Sequence, residues 1–228
     1  AWALPGGKIA INRGLLTELN SEAELAAVLG HEIVHAAARH GAKGMQRGIL
    51  LQGAVVVAGI ASRGSNYENL AVRGSQTAAG LINQKYGRNA ESESDLYGMQ
   101  YMSRAGYDPR AAISLQEVFV RLSEGQETDW LSGLFSSHPP SQQRVEANQA
   151  TAKTLPESGE LGVQRYKDKI ARMIRTKDDY HAFDMGSKAL SEGNAKEALS
   201  LAQQAILGEP NEGRFHALVG DIYMEQQQ

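Results

Sequence analysis

The 228 residues contain no cysteine. That absence removes a disulfide framework, a thiol nucleophile and any structural metal site built on thiolates, so a bound metal would have to be held by histidines and carboxylates. No block of one charge occurs either. The 23 basic residues are offset by 26 acidic ones, leaving a formal net charge of -3, and such a balance points to neither nucleic acid nor an anionic membrane as a partner. Long apolar runs are missing too. The most apolar stretch, Ile49 to Ala61, is 13 residues long and includes Gln52 and two glycines, short of the roughly 20 residues a spanning helix needs. It is expected to form a buried or interfacial helix that covers a site or makes peripheral contact with lipid. The chain opens on Ala1-Trp2-Ala3 without an initiator methionine or a signal pattern, which reads as the start of a mature or trimmed product.

What is present suits one core domain of about 150 residues with a smaller appendage. Residues 1 to 20 read as short extended structure, a Pro5-Gly6-Gly7 turn, and a strand or short helix. Ser21 and Glu24 form an S-x-x-E capping box that opens a long helix. Leu25, Val28, Leu29, Val34 and Ala38 keep helical spacing along it, and Gly41 is its expected left-handed stop. Residues 41 to 88 are rich in Gly, Ala and Ser, with a flexible loop expected over Arg63 to Gly74. A second helix is predicted from about Asn89 through Arg104, ending at Gly106. A third is predicted from an Asp108-Pro109 start to about Ser123. A loop carrying Trp130, Phe135 and His138-Pro139-Pro140-Ser141 is expected over Gly125 to Ser141, before helix resumes through Arg144 to Ala152. Pro and Gly then place a boundary at Thr154 to Gly162.

Beyond that boundary, Gly186 and Gly220 lie 34 residues apart. Ala198, Ala202, Ala205 and Pro210 fall at the small-residue and proline offsets of a tetratricopeptide helix pair. An ordinary helical hairpin fits the same residues.

The chemistry is concentrated in His31-Glu32-Ile33-Val34-His35, an H-E-x-x-H sequence in the middle of the capped helix. Four residues advance a helix by slightly more than one turn, so both imidazoles project from one face and can share one ion. Glu32 then stands beside that ion as a base for water and later an acid for the leaving amine. A catalytic zinc keeps three protein ligands, so one more donor is required. In Glu91-Ser92-Glu93-Ser94-Asp95, Glu93 lies about 200° round the helix from Glu91, whereas Glu91 and Asp95 share a face. Glu91 is therefore the expected third ligand, and Asp95 the carboxylate that receives an imidazole N–H. His40 falls off the ligand face and reads as a helix C-terminal cap. His138 and Arg144, six residues apart across a Pro-Pro turn, offer a donor and a cation where an oxyanion would develop. Composition alone makes His138 a loop residue.

Together these residues resemble the HtpX/BepA family of zinc metallopeptidases. The motifs that carry the resemblance are Ala3-Leu4-Pro5-Gly6-Gly7, Asn12-Arg13-Gly14-Leu15-Leu16, His31 to His35, Glu91-x-x-x-Asp95, and His138-Pro139 with Arg144, covering roughly residues 1 to 150. The resemblance implies one Zn2+ per chain completed by Glu91 and supported by Asp95. It also implies an active-site role for His138, which in BepA-like members can plug the open zinc position, and a place nearby for Arg144. A metallopeptidase domain followed by tetratricopeptide helices resembles the periplasmic BepA-like branch, which takes part in quality control and assembly of outer-membrane proteins.

The expected architecture is mainly α. A zincin-like metallopeptidase domain with a small strand element spans residues 1–152, a connecting segment 153–178, and truncated tetratricopeptide-like helices 179–228. The expected partners are protein or peptide substrates, pairing with an edge strand near Ala1 to Leu4, and outer-membrane assembly proteins bound by the C-terminal helices. The rival reading is a chaperone or adaptor whose protease site is latent.

Overall fold

The computed structural model describes residues 1–4, 6–46, 48–50, 87–124 and 129–226. The expectations for Ile49 to Ala61 beyond residue 50, and for Arg63 to Gly74, fall outside the described residues. Among the described residues, no helix is long and apolar enough to cross a membrane. Among the described residues the fold is mainly α with one two-stranded sheet, and the chain divides into two compact units, Ala1–Tyr166 and Lys167–Gln228.

The first unit opens with β1 (Trp2–Ala3) and β2 (Ile9–Ala10), paired antiparallel with Trp2 opposite Ala10. Gly6 and Gly7 take φ of 91° and 82° in the turn between them, a region closed to most side chains. After α1 (Arg13–Glu18) comes the long helix α2 (Glu22–Ala37). Its start follows the capping logic with one change. Ser21 Oγ accepts from Glu24 N at 3.1 Å, but the Glu24 carboxylate reaches Asn20 N at 2.6 Å, one residue earlier than the usual box, and also accepts from Ser114 Oγ at 2.7 Å. The buried face of α2 is set by Ala23, Ala27, Val28 and Val34, while Leu25 and Leu29 stay half-buried.

The stop of α2 differs from expectation. The helix ends at Ala37, and Arg39, not Gly41, turns left-handed at φ 55°, after which helix restarts at residue 40. Helix α3 (Arg88–Arg104) closes on Ala105 with Gly106 at φ 88°. It crosses α2 antiparallel at two glycines, where a Cβ on Gly30 would lie 2.8 Å from Gly98 O. Helix α4 (Ala111–Ser123) starts two residues later than a proline at its first position would require. Asp108 still serves as a turn acceptor, its Oδ1 taking Arg110 N at 2.9 Å.

The expected loop over Gly125 to Ser141 contains a helix, α5 (Asp129–Ser137). The apolar residues at 130, 131, 134 and 135 have helical spacing, and Gly133 sits inside the element without breaking it. Helix α6 (Gln142–Ala152) follows, capped by Ser141, whose Oγ accepts from Arg144 N. The segment after it runs back along the unit: Glu160 pairs with Gly106 and Asp108, Ala23 N donates to Leu161 O, and Tyr166 Oη donates to Leu16 O at 2.7 Å.

Helix α7 (Val163–Arg175) straddles the division between the units. The second unit continues with α8 (Lys177–Ser191), α9 (Ala195–Gly208) and α10 (Gly213–Glu225). Its core is small-residue packing, with Ala189, Ala198 and Ala202 against Leu218 and Ile222, beside Ala182 and Ala205 around Phe215. Phe183 stacks on Phe215 at 5.1 Å between centroids. Gly186 has a structural reason, since a Cβ there would already sit 3.2 Å from Leu218 Cδ2.

Candidate metal centre

The antiparallel crossing at Gly30 and Gly98 decides what meets what. Because α2 and α3 pass with backbone in contact, the face of α2 carrying His31 and His35 lies against the face of α3 carrying Asp95 and Glu91. Stepping up α2 corresponds to stepping down α3. His31 Nδ1 lies 2.9 Å from Asp95 Oδ1, and His35 Nε2 lies 3.2 Å from Glu91 Oε1. The spacing of four on each helix matches because both repeat one turn. Glu93, on the other side of α3, has a half-exposed side chain.

The third strand of the chain to arrive is the link between α5 and α6. His138 N donates to Leu134 O at 2.8 Å, continuing the last turn of α5. Pro139 and Pro140, without N–H groups and with fixed φ, end the helix there. His138 is thereby folded inward to 3 % exposure. Its Nδ1 sits 3.1 Å from Glu91 Oε1 and 3.2 Å from His31 Nε2, and its Nε2 is 3.5 Å from Glu32 Oε1. In the first turn of α6, Arg144 forks onto two carboxylates of α3, Asp95 and Glu91. Nε and Nη2 donate to Asp95 at 2.7 and 2.6 Å, while Nη1 lies 2.8 Å from Glu91 Oε2.

All seven residues singled out from the sequence therefore come together. His31, His35, Glu91 and His138 each offer a ligand atom within 4.8 Å of the others. Glu32 is buried beside them, and Asp95 and Arg144 form the layer behind. Sequence reasoning missed His40. It is buried, with Nδ1 3.1 Å from His35 Nδ1 and Nε2 3.4 Å from Glu93 Oε2. His40 is off the ligand face, as expected, but its reading as a terminal cap is overturned by the break at Arg39, which returns the chain beneath His35 on the Nδ1 side of that ring.

The titration behaviour follows from burial and close charges. Burial pulls His35 down to about 3, against the opposing pull of Glu91. For His31 the burial penalty is outweighed by the hydrogen bond to Asp95 and the charges of Glu91 and Asp95, and its pKa rises. Burial pushes the Glu91 carboxyl up, but hydrogen bonds from His138 and His35 hold it well below the ordinary carboxylate range. Asp95 is likewise held down by His31 and Arg144 in spite of burial.

The donor set fits a divalent metal. With His31 Nδ1–H directed at Asp95, its Nε2 lone pair points to the centre of the group, 2.9 Å from His35 Nε2. Four tetrahedral ligands at about 2.0–2.1 Å from a common ion stand about 3.3 Å apart. The observed separations of 2.9, 3.2, 3.2 and 3.1 Å between neighbouring donors lie close to that edge. Glu32 Oε2, buried and without a hydrogen-bond partner among the described residues, lines the same cavity as His31 and His138.

A mainly α domain that sets an H-E-x-x-H helix against a carboxylate-bearing helix defines a metallopeptidase. The chain belongs to peptidase family M48, whose family model matches residues 1–152. It is 33 % identical over 145 residues to "Mitochondrial metalloendopeptidase OMA1" of Arabidopsis thaliana, covering 63 % of this chain and 27 % of the relative. It is 29 % identical over 150 residues to "Metalloprotease YcaL" of Escherichia coli, covering 64 % and 55 %. It is 31 % identical over 171 residues to a "Putative beta-barrel assembly-enhancing protease" of Vibrio cholerae, covering 68 % and 33 %. The chain thus spans from about a quarter to just over half of the length of these relatives.

Proposed function

We propose that this chain is a zinc-dependent metalloendopeptidase that hydrolyses peptide bonds in proteins, acting in the quality control of envelope or outer-membrane proteins in the periplasm. The observation that carries the reading is the convergence of four donors on an H-E-x-x-H helix with a buried, unpartnered carboxylate oxygen of Glu32 in the same cavity. Three or more imidazole and carboxylate donors in tetrahedral spacing favour zinc over magnesium or calcium, which take oxygen ligands.

When bound, zinc supplies a Lewis acid that polarises a carbonyl and makes water nucleophilic near neutral pH. Glu32 takes the proton of the attacking water at Oε2 and returns it to the departing amine. Asp95 fixes the tautomer and orientation of His31 through Nδ1. Arg144 holds Asp95 and Glu91 against each other, so both carboxylates stay in place within a buried site. His31, His35 and Glu91 would hold the ion, and His138 stands where a substrate carbonyl would approach.

His138 also supports a gated site. With four protein donors, a tetrahedral zinc has no position left for substrate, so His138 would have to withdraw before turnover. The same feature favours the second reading, a chaperone or adaptor with a silent protease. In either case residues 1–152 form the catalytic part, residues 153–178 connect, and residues 179–228 are tetratricopeptide-like helices that bind outer-membrane assembly proteins. An extended substrate would add to the edge of β1 near Ala1 to Leu4.

Casein cleavage and metal content of the parent, Glu32→Gln and His138→Ala test this together. Glu32→Gln should keep its metal and lose cleavage by about 10²–10⁴-fold, the usual worth of a general base. Full activity in that variant would sink the peptidase reading. Higher cleavage by His138→Ala than by the parent supports gating, whereas no cleavage by either supports the chaperone.

A further inference from the structure

The two histidines of the H-E-x-x-H helix are supported differently. His31 hands its Nδ1 proton directly to Asp95, 2.9 Å away. For His35 the group in that place is another imidazole, His40, whose Nδ1 lies 3.1 Å from His35 Nδ1. Of two facing nitrogens, one must carry the proton and the other accept it. The geometry around them decides which. His35 Nε2 faces the donor cluster, 3.2 Å from Glu91 Oε1 and 2.9 Å from His31 Nε2. To present a lone pair there, a neutral His35 must carry its proton on Nδ1 and donate it to His40 Nδ1. His40 must then carry its own proton on Nε2, and that atom faces Glu93 Oε2 at 3.4 Å. Each assignment forces the next, and the chain ends on a carboxylate.

We infer that His40 is a positioning residue for the metal, relaying the carboxylate of Glu93 to His35 as Asp95 serves His31 directly. The inference rests on the metal reading given above and adds to it a residue outside the H-E-x-x-H motif. Local structure supplies the means. On an unbroken helix, five residues past His35 is about 140° away from it, and the two rings would diverge. Arg39 at φ 55° breaks the helix and restarts it at residue 40, which swings His40 into the interior, 7 % exposed. Ser94 Oγ, 3.5 Å from His40 Nδ1 and fully buried, packs on the ring from α3. A left-handed arginine carries a conformational penalty, and the relay gives that strained turn a purpose.

The test compares the full chain with His40→Leu, which fills the space without an acceptor, His40→Asn, which keeps a polar group near the Nδ1 position, and Glu93→Gln. Zinc affinity is read by chelator competition, the Co2+-substituted site by its visible absorption, and the metal-free fold by thermal unfolding. The expected result for His40→Leu is a 10–100-fold loss of zinc affinity, the usual effect of removing a ligand's outer partner, with an altered Co2+ spectrum. His40→Asn should recover most of that loss, and Glu93→Gln should lose less than His40→Leu. Unfolding of the metal-free His40→Asn protein at the parent's temperature shows that any remaining loss is not one of fold. Parental zinc affinity and an unchanged Co2+ spectrum in His40→Leu would overturn the relay while leaving the metal centre standing. A parent that binds neither ion would overturn the metal reading itself, and the relay with it.

Discussion

Gly98→Ala is the most informative single change, because it adds one methyl group where two helices touch by their backbones. An ideal Cβ at this position lies 2.9 Å from His31 N, 3.0 Å from Gly30 C and 3.2 Å from His31 Cα. None of these atoms belongs to a side chain that can rotate away, so α2 and α3 must separate by several tenths of an ångström. Overpacking of this kind costs about 1–3 kcal/mol. Replacing a mid-helix glycine by alanine returns about 1 kcal/mol of helix propensity. The net loss of stability is therefore about 0–2 kcal/mol, and the protein should remain folded.

The centre responds differently. His31 and His35 ride on α2 while Glu91 and Asp95 ride on α3, and such constellations must be held within about 0.5 Å to work. The expected signature is a small shift in denaturation midpoint with a tenfold or larger drop in metal affinity and a drop in peptide cleavage approaching 10²-fold. Gly133→Ala is the control. It lies within α5 with nothing within 4 Å of a new Cβ, so it should be neutral or slightly stabilising and leave metal binding unchanged. Equal metal affinity in the two variants would refute the claim that the glycine crossing sets the donor spacing.

Arg144→Met removes the cation that holds two buried carboxylates, and breaking such a pair costs about 3–5 kcal/mol. Chemical denaturation of the metal-free protein should show a loss of that size, larger than the loss in Asp95→Asn, which removes a buried charge together with its partner's contact. The Asp108 carboxyl is held below its ordinary value by the hydrogen bond from Arg110, which outweighs burial. A depressed folded pKa gives stabilisation that is present above the unfolded value, near 3.9, and is lost as the pH falls through the folded one. Asp108→Asn should accordingly flatten the decline of the denaturation midpoint below about pH 4, and an unchanged profile would remove Asp108 from the acid response.

The parts of the site visible in the sequence are those written in helical periodicity. His31 and His35 at a spacing of four, and Glu91 and Asp95 at the same spacing, are each placed on one face by the 100° step of the helix alone. That reasoning also separated Glu91 from Glu93. How the two helices would meet was not visible, since Gly30 and Gly98 are unremarkable in sequence and matter only as a pair. Local sequence placed His138 in a loop, and its candidacy with Arg144 rested on the family resemblance, because their approach to Glu91 and Asp95 is a long-range contact that no local pattern encodes. His40 was misplaced for a specific reason: Gly41 offered the obvious left-handed stop, and the chain used Arg39 instead. Helix α5 was hidden by Gly133, which is tolerated inside a helix at modest cost.

The buried charges add a further constraint on what the centre can hold. Glu32, Glu91 and Asp95 are three carboxylate side chains within or beside one cavity, and the Arg144 guanidinium faces Glu91 and Asp95, all four side chains buried. With the histidines neutral, as metal binding would require, these four side chains carry a formal excess of two negative charges. Uncompensated charge in such surroundings is costly. A divalent cation cancels the excess and takes the converging nitrogen lone pairs as well. The acidic composition around the histidines and their spacing therefore point to the same occupant for separate physical reasons, one electrostatic and one geometric. Arg144 tunes this balance: without it the excess would be three, and a divalent ion would leave a carboxylate unpaired. Its place in the first turn of α6, just after the proline-terminated α5 that brings His138 to Glu91, ties the charge balance of the centre to the same segment of chain.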